Sequence, residues 1–303
     1  MHKTSGKWRL GLALSSLTVI LWGVLPIALT VTLSVLDVYT VTWFRFLFSF
    51  VLLAIYLGAR GKLPTLKQIR TTSWKLLLCA IIFLAANYIL FLKGLALTSP
   101  ANAEVIIQIA PLLMGLGGLL IFREHYSWRQ WCGVGVLTTG LVLFFHEKLT
   151  NIITAPTNYL LGTGLVVLGA VAWAVYALAQ KQLLRTLSSM HIMVIIYCTC
   201  AFLFLPFATP KLLFTLNYFH WFTLIFCGLN TLIAYGAFAE SLEHWESSRV
   251  SAVLAAAPIV TLISVDIVSV IAPSLIAPES LSITGIIGAV LVVAGSVAMA
   301  LGK

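Results

Sequence analysis

Long apolar segments recur along the whole chain and constrain its fold more than any other feature. A helix needs about 20 residues to cross the ~30 Å hydrocarbon core of a bilayer. Only 9% of the residues are charged, against roughly 25% in an average soluble domain, so the chain has too little charge to cover a soluble surface. The sequence predicts an all-α membrane protein with ten transmembrane helices at about 10–30, 39–58, 74–95, 100–121, 129–145, 158–179, 190–208, 217–238, 250–271 and 281–301.

The distribution of lysine and arginine predicts the orientation of these helices. With the N-terminus inside and alternating spans, Lys148 and Lys211 are the only outer basic residues, and Arg45 and Lys93 lie within spans. The remaining basic residues are all cytoplasmic: Lys3, Lys7, Arg9, Arg60, Lys62, Lys67, Arg70, Lys75, Arg123, Arg129, Lys181, Arg185, Arg249 and Lys303. Such an excess marks cytoplasmic loops and accounts for the net charge of +9 without nucleic-acid binding. We therefore predict a multi-pass protein of the inner membrane with both termini in the cytoplasm.

The two halves of the chain resemble each other. Identical residues recur in the same order at shifts of 147 to 155 residues: Gly11 and Gly162, Trp22 and Trp173, Tyr88 and Tyr235, Phe91 and Phe238, Ala110-Pro111 and Ala257-Pro258, Gly133 and Gly288, and Gly140 and Gly295. We predict two five-helix repeats, residues 1–150 and 151–303. Because five is an odd number, the second repeat enters the membrane from the opposite side. Inverted repeats provide two interchangeable conformations with a binding site between the halves, which favours a transporter.

One stretch of the first half carries a resemblance to a known family. Residues 94–104, Gly-Leu-Ala-Leu-Thr-Ser-Pro-Ala-Asn-Ala-Glu, continue to Ala110-Pro111, and the short turn Arg123-Glu124-His125 follows. These features resemble the drug/metabolite transporter superfamily, EamA type, and the resemblance covers essentially the whole chain. It implies ten helices in a five-plus-five arrangement and export of amino acids or other metabolites, with uptake or exchange as alternatives. Ser251 stands where the first half has Glu104, so this carboxylate belongs to one half only.

Four ionisable residues lie within predicted spans, all in the outer half: Arg45, Lys93, Glu104 and Asp266. Ionisable residues at membrane depth are costly and usually face a cavity or a partner. Glu104 shares a helical face with Gln108 and Pro111. We predict that Glu104 is a substrate-facing or proton-linked carboxylate with Arg45 or Lys93 as its electrostatic partner. A purely structural ion pair and extension of the two cations to the headgroups remain alternatives.

Aromatic and amide side chains share faces on several other predicted spans. Such combinations line small-molecule sites, although ordinary packing produces aromatic stripes as well. Pro111 and Pro258 are predicted to kink their helices, with direct contact between a freed carbonyl and substrate as an alternative. The predicted cavity between the halves comprises Trp22, Arg45, Asn87, Tyr88, Phe91, Glu104, Gln108, Trp173, Tyr176 and Tyr235.

The sequence contains no H-E-x-x-H, G-x-S-x-G or G-x-x-x-x-G-K-[ST] motif and no histidine or cysteine spacing typical of a metal site. We therefore predict a protein without cofactor or metal whose partners are a small-molecule substrate, the lipid bilayer and a proton as candidate coupling ion. The favoured function is a secondary transporter or facilitator of small metabolites, with amino acid export by alternating access foremost. The alternative from another class is an intramembrane enzyme acting on a lipid-like substrate, which would need clustered acids or a nucleophile with its base.

Overall fold

The computed structural model describes residues 4–122, 126–153, 157–273, 275 and 282–301. The turn Arg123-Glu124-His125 and the terminal residues Lys3 and Lys303 lie outside the described residues. The described helices are α1 (Trp8–Leu33), α2 (Val38–Ala59), α3 (Leu66–Thr71), α4 (Trp74–Leu97), α5 (Pro100–Ile106), α6 (Ile109–Phe122), α7 (Trp128–Ile153), α8 (Thr157–Leu183), α9 (Ser189–Phe204), α10 (Tyr218–His244), α11 (Ser247–Leu254), α12 (Ala257–Ile271) and α13 (Ile283–Leu301).

Eight helical segments of the described chain are long and apolar enough to cross a membrane, and two of these are the helix pairs α5–α6 and α11–α12. Helices α7 and α13, which pack against each other, bring the number of spans to ten. The prediction of an all-helical, ten-span membrane fold is therefore confirmed. Helix α7 continues to Ile153, several residues beyond its predicted end at 145.

Helix packing follows the internal repeat. Helix α1 packs on α10, and their counterparts α8 and α4 pack on each other in the same way. The pairs α2–α9 and α7–α13 each join one helix to its own counterpart, and α5–α12 and α6–α11 join the interrupted helices crosswise. Exchanging the halves thus maps the principal contacts onto each other, which is the packing expected of two copies of one five-helix unit.

Glycines bring α7 and α13 into backbone contact. A Cβ atom added to Gly140 would lie 2.6 Å from the Val292 nitrogen and 2.7 Å from the Gly288 oxygen. A Cβ at Gly295 would lie 2.7 Å from the Gly133 oxygen. The four glycines matched by the repeat therefore face one another, and small residues at such positions let membrane helices approach closely.

Replacing Gly295 with leucine is expected to destabilise the protein, because the new side chain must push α7 and α13 apart. Overpacking of this kind typically costs about 1–3 kcal/mol. Gly135 is the matched control, since it lies on α7 and a Cβ there would meet nothing within 4 Å. The thermal midpoint in detergent should fall for Gly295→Leu and stay unchanged for Gly135→Leu. Equal midpoints for the two variants would contradict the close contact between the helices.

The fourth and ninth spans are interrupted, each by two residues. The first break separates α5 from α6 at residues 107–108, and the second separates α11 from α12 at residues 255–256. Pro111 has no N–H to bond the Ile107 carbonyl, which instead accepts from the Ala110 nitrogen at 2.8 Å. Around the second break the Ala256 nitrogen bonds the Val253 carbonyl in the same three-residue pattern. The breaks therefore tighten the helix just before each proline.

Candidate substrate cavity

A cavity lies at the centre of the bundle, between the two halves. Its volume is about 70 Å³. Small-molecule sites commonly combine apolar walls with a few polar groups. Both halves and the first helix break contribute to the lining, which consists of Trp22, Leu25, Pro26, Arg45, Asn87, Tyr88, Phe91, Leu92, Glu104, Ile107, Gln108, Ala110, Pro111, Trp173, Tyr235, Leu254 and Ala257.

Aromatic rings from matched positions of the repeat form one wall. The Trp22 ring meets the Trp173 ring edge-on, with centroids 5.6 Å apart, and the Tyr235 ring at 5.0 Å. Tyr88 lies 5.6 Å from Tyr235 on the same wall. Such tilted and edge-to-face pairs are favourable arrangements of aromatic rings. The wall therefore joins the two halves and gives the cavity an aromatic surface.

The cavity brings together all but one of the predicted binding residues: Trp22, Arg45, Asn87, Tyr88, Phe91, Glu104, Gln108, Trp173 and Tyr235. Tyr176 is the exception, because it is fully buried behind the wall and its hydroxyl contacts the Met193 sulfur at 3.5 Å. Positions three apart on a helix point about 60° away from each other, so Trp173 reaches the cavity and Tyr176 packs behind it.

Asn87 uses part of its hydrogen-bonding capacity to hold the helices together. Its amide nitrogen donates to the Gly169 carbonyl of α8 at 3.0 Å. Asn87 thus joins α4 to α8 at the edge of the cavity.

Arg45 is held in a fixed position on α2. Its side chain is buried, its Nε donates to the Thr231 hydroxyl at 2.9 Å, and its guanidinium carbon lies 4.5 Å above the Tyr88 ring. A cation above an aromatic face is attracted by the ring, more so when it is shielded from water. No carboxylate of the described residues lies within 4 Å of the guanidinium. The cavity therefore contains a positive charge without an ionic partner.

Glu104 places a carboxyl group in the same cavity, near the end of α5. Only 4% of its surface is exposed, and the Gln108 Nε2 donates to one carboxylate oxygen at 3.2 Å and to the Glu104 carbonyl at 3.2 Å. The Gln108 Oε1 is buried and has no partner among the described residues. An isolated buried charge is costly, so the Glu104 carboxylate and the Gln108 Oε1 would be stabilised by a cation or a proton in the cavity.

The prediction that Arg45 or Lys93 pairs with Glu104 is wrong in this structure. Arg45 contacts the Thr231 hydroxyl and the Tyr88 ring. The Lys93 ammonium donates to the Tyr39 hydroxyl at 2.9 Å and lies close to the Tyr39 ring. Both cations have neutral polar and aromatic neighbours that satisfy them without the carboxylate. The Glu104 carboxyl group and the Arg45 guanidinium therefore line the cavity without pairing with each other.

Asp266, the fourth ionisable residue within a predicted span, does not belong to the cavity. It lies on the exposed face of α12 and does not line the cavity that Glu104 lines. Asp266 therefore departs from the expectation that an ionisable residue within a span faces a cavity.

Pro26 lines the cavity and was not among the predicted residues. It lies inside α1 and has no N–H for the carbonyl of Trp22, which also lines the cavity. A proline one turn after a candidate aromatic residue was the signal that could have identified it. Pro111 lines the cavity as well, whereas Pro258 lies outside the lining.

Ten membrane-crossing helices in two related halves around a central cavity define a polytopic membrane transporter. The sequence profile of the EamA-like transporter family matches residues 9–146 and again residues 160–301. The chain therefore belongs to the EamA-like transporter family of the drug/metabolite transporter superfamily, which confirms the resemblance of its sequence.

Relatives of similar length support this assignment. YhbE, an uncharacterized inner membrane transporter of Escherichia coli (strain K12), is 37% identical over 294 residues, covering 97% of this chain and 92% of its own. An uncharacterized transporter of Haemophilus influenzae is 35% identical over 293 residues, covering 97% and 95%. A solved crystal structure with 18% identity has a TM-score of 0.73 over 97% of this chain and 99% of its own, which shows a shared fold.

Proposed function

We propose that this protein is a secondary transporter that exports amino acids or related metabolites across the inner membrane by alternating access. One observation carries the proposal: a carboxylate, Glu104, and a guanidinium, Arg45, line the same cavity without pairing with each other. We further propose that residues 1–150 and 151–303 form the two repeats and that both termini are cytoplasmic. The positive-inside distribution of lysine and arginine supports this orientation.

The two charges match the two ends of an amino acid. An ammonium group has several N–H donors, and Glu104 and the unpartnered Gln108 Oε1 together supply acceptors for them. A carboxylate fits the planar guanidinium of Arg45, which can donate two parallel hydrogen bonds. An apolar side chain would then lie against the wall formed by Trp22 and Tyr235. This division of roles accounts for why both charges lack an ionic partner in the described residues.

The same carboxylate supports a proton as the coupling ion. When the ammonium leaves, Glu104 is again a buried charge without a partner, and binding a proton neutralises it. Substrate and proton would then compete for one group, so a proton gradient would drive substrate the other way. Export rather than uptake rests on the family resemblance.

The lining of the cavity supports a transporter over an intramembrane enzyme. Among the described residues, the lining contains no serine, cysteine or histidine and therefore no hydroxyl or thiol nucleophile beside a histidine base. Within the described part of the chain, no group of three histidine, cysteine, aspartate or glutamate residues could hold a metal ion. Such a lining is suited to carrying its ligand unchanged.

Reconstitution in liposomes tests the proposal. Liposomes loaded with each of the twenty standard amino acids should accumulate the same labelled amino acid from outside by counterflow, well above protein-free liposomes, for at least one of them. L-Phenylalanine is the first probe, because its ring matches the aromatic wall. Absence of counterflow with every amino acid would refute the proposed substrate class.

Replacing Arg45 with methionine should remove recognition of the substrate carboxylate. The half-maximal concentration for L-phenylalanine should rise roughly 30-fold or more, as expected when a buried charged partner is lost. That for L-phenylalaninamide, which lacks the carboxylate, should stay constant. Arg60→Met is the matched control, since Arg60 also lies over a ring, that of Tyr56 at 4.7 Å, but outside the cavity. An equal loss for both ligands in Arg45→Met would argue against a carboxylate contact.

A further inference from the structure

The hydroxyl of Thr231 connects three helices behind the cavity. Its oxygen accepts from the Arg45 Nε of α2 at 2.9 Å and from the Tyr88 hydroxyl of α4 at 3.4 Å. Its proton goes to the Cys227 carbonyl on its own helix, α10, at 3.0 Å. A threonine hydroxyl has one donor and two acceptor positions, so all three are occupied. This saturation fixes the direction in which its lone pairs point.

Thr231 is itself held in place. Its side chain is fully buried, and the Tyr197 hydroxyl of α9 donates to its carbonyl oxygen at 2.8 Å. Threonine is also stiff at χ1 because it is branched at Cβ. The hydroxyl is therefore a rigid anchor rather than a side chain that adapts to its neighbours.

Two contacts orient the guanidinium of Arg45. The Thr231 hydroxyl accepts a hydrogen bond from Nε, and the guanidinium carbon lies 4.5 Å over the Tyr88 ring. Because Nε is occupied, the two terminal nitrogens are the ones left for a ligand. Thr231 does not line the cavity, so it can influence a ligand only through Arg45.

We infer that Thr231 is a positioning residue that aims the guanidinium of Arg45 at the ligand carboxylate and so sets selectivity for carboxylate-bearing substrates. The inference rests on the proposed function, because it requires a ligand carboxylate at Arg45. Without the hydroxyl, the long arginine side chain has several rotamers available, and the ligand must select one of them at a cost in affinity.

The experiment compares Thr231→Val, which keeps the shape and removes the hydroxyl, with Thr231→Ser, which keeps the hydroxyl. Competition for counterflow is measured with L-phenylalanine and with L-phenylalaninamide. We expect Thr231→Val to lower the apparent affinity for L-phenylalanine roughly tenfold and to leave the affinity for L-phenylalaninamide unchanged. Thr231→Ser should behave as the wild type for both ligands.

A second buried threonine of α10 provides the control. The Thr223 hydroxyl donates to the His220 carbonyl at 3.0 Å and makes no hydrogen bond to Arg45. Thr223→Val should therefore change the affinity for neither ligand. The ratio of the two affinities separates positioning from damage, because a general loss of structure lowers both together. A ratio unchanged from wild type in Thr231→Val would overturn the inference, whether or not the variant is less stable.

The failure of the proposed function looks different. If wild-type protein does not distinguish L-phenylalanine from L-phenylalaninamide, the carboxylate contact at Arg45 is wrong and the role of Thr231 is wrong with it. If the wild type and Arg45→Met behave as proposed while Thr231→Val keeps the wild-type ratio, only the positioning role of Thr231 is overturned.

Discussion

Glu104→Gln is expected to lose binding of ammonium-bearing substrates and, with it, transport. The substitution keeps the shape of the side chain and its acceptor for Gln108 Nε2 but replaces the negative charge that faces the cavity. Losing one member of a buried charge pair costs about 2–5 kcal/mol, which corresponds to roughly 30-fold or more in affinity. The affinity for L-phenylalanine should fall by this factor, whereas the affinity for 3-phenylpropionate, which has no ammonium group, should not fall.

The response of flux to an imposed pH gradient should disappear in the same variant, because the proposed proton site is gone. Glu240→Gln is the matched control, since Glu240 bonds Ser189 and His244 at one end of the bundle and does not line the cavity. Preserved exchange with loss of the pH response alone would assign Glu104 to proton coupling without ammonium recognition. Normal flux and pH response with only reduced thermal stability would mean that Glu104 is architectural.

Hydropathy predicted the membrane spans, and helical periodicity predicted most of the residues that line this cavity. Spans are predictable because an uninterrupted membrane helix must satisfy its backbone internally and present apolar side chains. Glu104, Gln108 and Pro111 were grouped by spacing on one helix, and the structure brings them to one surface although a break separates α5 from α6. The break shifts the register too little to turn these residues away from each other.

Contacts between helices could not be predicted from spacing. The expected pairing of Glu104 with a cation fails because Thr231 and Tyr88 satisfy Arg45, and both belong to other helices whose rotation the sequence does not specify. Tyr176 shows the same limit within one helix, where a 60° difference from Trp173 separates a lining residue from one in the layer behind. The glycines used to detect the repeat had an unforeseen role, since they form the contact between α7 and α13.

Alternating access makes a strong prediction for the contact between α6 and α11. This contact lies beyond the two helix breaks, on the side of the cavity that the proposed topology makes cytoplasmic. An ideal Cβ at Gly115 lies 3.9 Å from the Ser251 Cβ, within the 3.5–4.5 Å that a disulfide requires. For a ligand to enter from the cytoplasm, α6 and α11 must separate here while the opposite side closes. A covalent link between these two positions should therefore hold the protein in the conformation of this structure.

Gly115→Cys combined with Ser251→Cys, in a protein whose five free cysteines have been replaced by alanine, should crosslink under mild oxidation. Flux should then fall to the level of protein-free liposomes and return on reduction, because only movement between the two states is blocked. Each single cysteine variant should keep its flux under the same oxidant, which controls for damage by the substitutions. Efficient crosslinking with undiminished flux would show that α6 and α11 stay together throughout transport, and the pathway would then have to open between other helices.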